Sequence, residues 1–198
     1  MAEAYLNEFD SWLQSLVHEA YDVAKVRTIS TAVSANSSDA ESRCRLLVAL
    51  SFFDMGAITK VDWCHKLGVA QVLWFIQNKP EHPILAIPLS YGFLYGNQES
   101  VDAVKGAWEK ILFGNTCNAQ ALLNAASFFD FLDKTTCIEL LQRAIDIEPR
   151  NRSVIDFARS VIFRIRTNPY LLKALQERVR QLEEAICCKD DWFVENCL

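Results

Sequence analysis

Glycine and proline are both scarce in this chain, six and five residues. That scarcity argues against a loop-rich β fold and against long disordered linkers. The six glycines are scattered, so no glycine-rich phosphate loop is available. Long apolar runs are missing too. The longest, Ile84 to Tyr95, is broken by Pro88 and Gly92 and falls well short of the roughly 20 residues that a membrane span requires. Histidine is limited to His18, His65 and His82, and Cys64-His65 is the single adjacent Cys/His pair. A metal site needs three or four ligands at workable spacing, so none is expected. Neither an HExxH motif nor a nucleophile elbow occurs. The paired carboxylates, Glu183-Glu184 and Asp190-Asp191, are neighbours that do not face one another. No cofactor and no catalytic machinery are expected.

What is present is ordinary for a globular protein: 198 residues, 51% apolar and 23% charged. That length supports one core, read as a single domain over residues 1–198. A net charge of −5 disfavours general nucleic-acid binding. Seven cysteines, at 44, 64, 117, 137, 187, 188 and 197, are odd in number, and several lie on apolar helical faces. With no secretory signal in view, they read as reduced thiols packed as small hydrophobes in a cytoplasmic protein.

The densest pattern runs from Asn118 to Asn151. Ala121, Leu122, Ala125, Phe128, Phe129 and Leu132 keep helical spacing, and Asp133 then offers a cap. Ile138, Leu141, Ala144 and Ile145 form a second stripe that ends before Pro149. Small residues, Ala125, Ala126 and Cys137, sit where two helices would cross. The spacing predicts a tight antiparallel hairpin.

Ala125, Phe128, Cys137, Leu141, Ala144 and Pro149 together resemble the tetratricopeptide (TPR) repeat. The family's early tryptophan is replaced by Ala121 and its leucine by Asn124. Gly92, Tyr95, Val104, Trp108 and Ile111, 33 residues upstream, are of similar type. Gly68, Val72, Phe75 and Pro80 match a second helix further back, with Pro80 and Pro149 separated by 69 residues, two periods of about 34. The resemblance implies an all-α fold, an α-α superhelix of stacked antiparallel hairpins. It implies an N-terminal capping helix and loop over 1–38, a repeat core over 39–166, a C-terminal capping helix over 167–188 and a tail over 189–198.

Along the chain, Tyr5, Leu6, Phe9, Trp12, Leu13, Leu16, Val17, Ala20 and Tyr21 predict an amphipathic first helix. Residues 27–38, rich in Ser, Thr, Ala and Asn, read as a frayed helix end and a polar loop. Ser38 and Glu41 have capping-box spacing for a helix through Asp54, with Leu46, Leu47, Leu50 and Phe53 inward and Gly56 ending the region. A helix is expected over Thr59–Asn78. The next hairpin is expected over Pro83–Tyr95 and Glu99–Phe113, with Pro88 bending or delaying its first helix, Asn97 capping between the two and Gly114 stopping the second. Two more helices are expected, over Ser153–Ile165 and Tyr170–Cys187, with Trp192 and Phe193 in the tail tucked back.

Between Arg143 and Arg180 nine basic residues face four acids, a local charge of +5. Arg152, Arg159 and Arg166 are spaced by seven, two helical turns, and Lys173 continues the count. These four are the candidate partner-binding residues. One reading is a strip that docks an acidic segment of a partner. The other is a solvated face paired locally, for example Arg152 with Asp156.

The expected function is non-enzymatic: binding a protein or peptide partner in a repeat groove. Leu122, Leu123 and Ala126, with Leu89 and Phe93, stand where TPR clamps for acidic C-termini carry polar groups, so an amphipathic helix suits them better. No nucleic acid and no membrane are expected as partners. The alternatives are a small helical enzyme or ligand-binding domain with a site assembled in space, or an immunity or antitoxin-type protein.

Overall fold

The computed structural model of the chain describes residues 11–16, 22–52, 62–94, 97–114 and 118–189. Every regular element among them is a helix, so the protein is all-α. The chain divides into two compact units, Met1–Ile111 and Leu112–Leu198.

The first unit holds α1 (Val23–Ala35), α2 (Ala40–Phe52), α3 (Asp62–Asn78), two 3-10 helices (Pro83–Ala86 and Pro88–Leu94) and all but the last two residues of α4 (Gln98–Phe113). Residues 11–16 are helical with Leu16 buried. Tyr5, Leu6, Phe9, Val17, Ala20 and Tyr21 of the expected first helix lie outside the described residues, as do Phe53 and Gly56. α2 packs against α1 and α3, and the second 3-10 helix lies against both α2 and α3. Leu46, Leu47, Leu50, Phe75, Ile76, Ile84 and Leu85 are almost fully buried there.

Three expectations for this unit are corrected. Most of the stretch expected as a frayed end and loop is α1. Asp22 caps it by accepting from the Lys25 amide at 2.7 Å. Thr28, Thr31 and Ser34 turn their hydroxyls back onto carbonyls four residues earlier, at 2.9–3.0 Å. Their polarity is thereby satisfied within the helix, and the polar loop shrinks to residues 36–39. At the start of α2 the cap is Asp39, not Ser38. Its carboxylate accepts from the Glu41 and Ser42 amides and from the Ser42 hydroxyl. Pro83–Tyr95 does not form an α-helix. Ile87 stands at φ −83° and ψ 123° ahead of Pro88, so the α geometry cannot pass through and two 3-10 pieces result. His82 caps the first piece, its Nδ1 accepting from the Ile84 amide. Ser90 donates to the Ile84 carbonyl at 2.5 Å and ties the two together.

The second unit holds α5 (Ala119–Leu132), α6 (Lys134–Ile147), α7 (Arg152–Arg166) and α8 (Pro169–Lys189). Here the boundaries follow the sequence signals closely. Asn118 caps α5 through the Ala121 amide. Asp133 ends α5 and begins α6: its N–H donates to the Phe129 carbonyl while its side chain accepts from Thr135 and Thr136. Asn151 caps α7 and Asn168 caps α8, with Pro169 in the first turn where its missing N–H costs nothing. α5 packs on α6 and α7, and α8 packs on α6 and α7. Ala125, Phe128, Cys137, Leu141 and Ala144 are all buried. The small side chains among them let the two backbones of the hairpin approach.

α5 is buried around its whole circumference, from Ala121 to Asp130. Leu122, Leu123 and Ala126 are therefore core residues rather than an exposed groove lining. The side chains of Leu89 and Phe93 lie outside the described residues.

Candidate functional site

Three of the four residues singled out on the basic row are held by acids. On α7, Arg152 donates to Asp156 at 3.0 Å, and Arg159 reaches the same carboxylate at 3.6 Å. Arg166 crosses to Glu183 on α8. Lys173 is exposed on α8 and has no ion pair among the described residues. The structure thus places Arg152 and Arg159 together around Asp156, gives Arg166 a separate partner, and leaves Lys173 apart.

The local charge of +5 is also offset in space. Arg164 pairs with Asp130, Arg178 with Glu139 and Arg180 with both Glu177 and Glu184. Asp130, Glu139, Glu183 and Glu184 all lie just outside the counted window. The carboxyl of Glu177 is held at about 2, first by the hydrogen bond from Arg180 and then by Gln181. A linear count overstates the field that an acidic partner would meet.

A tighter cluster was not visible in the sequence. Asp130, at the C-terminal end of α5, is only 5% exposed. One oxygen receives Lys134 of α6 at 2.5 Å and the other receives Arg164 of α7 at 2.8 Å. A buried carboxylate is costly without such partners. The two cations supply them and pin the ends of three helices to one point. Cys137 lies 4.0 Å from Asp130, and burial, followed by that charge, pushes its thiol well above the usual range, so it stays protonated.

Four large apolar side chains near this clip in the chain are exposed. Phe131 and Leu132 follow Asp130 and are 52% and 46% exposed; Phe163 precedes Arg164 and is 69% exposed; Tyr170, in the first turn of α8, is 88% exposed. The Asp130–Arg164 bond brings the C-terminal ends of α5 and α7 together, and α8 starts just after α7 ends. These side chains therefore share one end of the unit. Apolar spacing alone assigned Leu132 to a core stripe, and no sequence signal marked Phe163 or Tyr170 as surface.

In the first unit two polar contacts join residues distant in sequence. His65 Nε2 lies 3.0 Å from the Ser100 hydroxyl, in the first turn of α4. Among the described residues no acceptor holds Nδ1 of His65. The second contact is Arg43 with Gln71, at 2.5 Å across α2 and α3. Among the described residues no His, Cys, Asp and Glu group is arranged to hold a metal ion, and no helix is long and apolar enough to cross a membrane. The described cysteines, at 44, 64, 137, 187 and 188, are all free thiols. Cys117 and Cys197 lie outside the described residues.

No protein-family model matches this chain, nor does any curated protein or any solved structure.

Proposed function

We propose that this chain is a non-enzymatic helical module that binds a helix or peptide of a partner protein. Its central hairpin is read as a TPR-like repeat, and its partner-binding surface as the end of the second unit that holds the C-terminal ends of α5 and α7 and the start of α8. The observation that carries the reading is the exposure of Phe131, Leu132 and Phe163 on helices that the Asp130 clip ties together, with Tyr170 exposed at the start of α8. Exposed apolar clusters mark interaction surfaces, and aromatic side chains beside an arginine are typical binding anchors. A surface on helices already fixed to one another loses little entropy when a partner arrives. The paired state of Arg152, Arg159 and Arg166 makes the basic row the weaker candidate. The free thiols suit a reducing compartment, and the cytoplasm is the proposed location.

The test is a pull-down from native lysate with the tagged protein, at low and high salt, beside Phe163→Glu and Arg159→Glu. One stoichiometric protein is expected, kept in high salt and in Arg159→Glu, and lost in Phe163→Glu. A partner lost in high salt and in Arg159→Glu would return the site to the basic row. Recovery of a bound small molecule alone would overturn the reading in favour of a small helical enzyme or ligand-binding domain.

A further inference from the structure

The first unit buries a cation that no acid matches among the described residues. Arg43, on α2, is 9% exposed. Its Nε–H donates to the Ser37 carbonyl at 3.0 Å and its Nη1 donates to Gln71 Oε1 at 2.5 Å. The guanidinium carbon lies 4.4 Å from the centroid of the Trp74 ring. Among the described residues none of these partners is a carboxylate. The nearest acids along the chain are engaged elsewhere: Asp39 with Ser42 and the first amides of α2, and Glu41 with Arg45. Burial lowers the pKa of Arg43 from its ordinary value, and no opposing charge raises it again. A desolvated charge with only neutral partners is a net cost to the fold.

The geometry leaves that charge addressable. A guanidinium carries five N–H donors, and the two bonds above use one on Nε and one on Nη1. Nη2 makes no hydrogen bond among the described residues, and it is not one of the buried atoms left without a partner, so it reaches solvent. Trp74 beside it is half-buried. Gln71 is itself steadied by its amide, which donates to the Leu67 carbonyl at 3.3 Å. The plane of the guanidinium is thus fixed before anything binds.

We propose that Arg43, held between Gln71 and Trp74, is a binding site for a single carboxylate, which takes the open Nη2 edge of the guanidinium. The charge decides the class. One cation stands here, and among the described residues no second cation touches Gln71 or Trp74. A carboxylate brings one negative charge, whereas a phosphate monoester brings nearly two and would leave one unmatched. The site lies in the other unit from the apolar end described above and does not depend on that reading. The carboxylate comes either from a free organic acid or from a Glu or Asp side chain of a polypeptide.

The test follows the Trp74 indole N–H signal by NMR, identified by its loss in Trp74→Phe. Sodium acetate and an N-acetylated, C-amidated triglutamate peptide are titrated against sodium chloride at matched ionic strength. Both carboxylates are expected to move the signal saturably while chloride does not. Arg43→Lys, which keeps the charge and loses the fork, is expected to weaken the response about tenfold or more. Should Arg43→Lys not fold, the contrast between acetate and chloride in the native chain still decides. Movement by chloride equal to that by acetate, no saturable movement, or an unchanged response in Arg43→Lys would each overturn the proposal. Saturation by the peptide at about a tenth of the acetate concentration assigns a polypeptide source; equal potency per carboxylate assigns a free acid.

Discussion

Among the described residues each unit buries one charged side chain near a junction of helices, and the two are treated in opposite ways. In the second unit Asp130 receives Lys134 and Arg164 from two further helices, so its charge is matched inside the fold. In the first unit Arg43 receives a carbonyl, an amide oxygen and an aromatic face, all without net charge. A matched buried charge is a structural fastening, and removing it strands its partners. An unmatched one is a cost to the fold, which the carboxylate proposed above would relieve.

The largest test of that contrast is Asp130→Ala. It leaves two cations converging on an empty position and is expected to cost about 3 kcal/mol, read from urea unfolding. Arg164→Ala should cost less, about 1 kcal/mol, because Arg164 is partly solvated and Lys134 remains. A loss under half a kcal/mol for Asp130→Ala would remove the clip from the account.

Acid sharpens the contrast within the first unit. Burial, and then the nearby charge of Lys79, lowers the His82 pKa to about 4 from its usual 6.5. The folded state thus binds fewer protons than the unfolded chain between those values. Stability contributed by neutral His82 is full above about pH 6.5 and is lost as pH falls towards about 4. Protonation also removes the Nδ1 acceptor that caps the first 3-10 helix. His82→Asn keeps an acceptor without titrating, so its unfolding midpoint should fall less steeply across that window. An identical slope would assign the acid sensitivity to other groups.

Arg43→Met makes the opposite prediction from Asp130→Ala. It removes a charge that no acid matches among the described residues while keeping much of the stem's packing. The expected change in stability is within about 1 kcal/mol in either direction. A loss as large as that at Asp130 would erase the distinction between the two buried charges.

The smallest effect lies in α1. Ser34→Ala removes a hydroxyl bonded only to the Ser30 carbonyl on an exposed face. It should raise the stability slightly, by about a few tenths of a kcal/mol, read from the thermal midpoint. A fall of the same size would show that the back-bonded hydroxyls hold α1 together rather than merely being tolerated in it.

The second unit was far more legible in sequence than the first, for a physical reason. Its caps, Asn118, Asp133, Asn151 and Asn168, act on amides two or three residues away. Such signals lie within a short window, and Asp133 reads directly as one. In the first unit the same rules competed. Ser38, Asp39 and Asn36 are adjacent cap-formers, and only geometry chose Asp39. A run of Ser and Thr looked like a loop because intrahelical back-bonding leaves no trace in composition. Two prolines five residues apart demoted an apolar helix pattern to 3-10 turns.

By itself the sequence determined the all-α class, the four helices of the second unit with the Asp133 cap between the first two, and the small residues that let its hairpin close. These follow from local propensity, periodicity and capping, which act within a few residues. Only the tertiary structure decided what each charge does. Asp130 meets Arg164 across 34 residues, Arg43 meets Gln71 across 28, and Glu139, Glu183 and Glu184 offset cations that a linear count had left in excess. It also decided that α5 is buried on every side, while Phe163 and Tyr170 face outward. Periodicity reports that a helix has an apolar face, but the number of neighbours packed around that helix determines how much of it remains exposed.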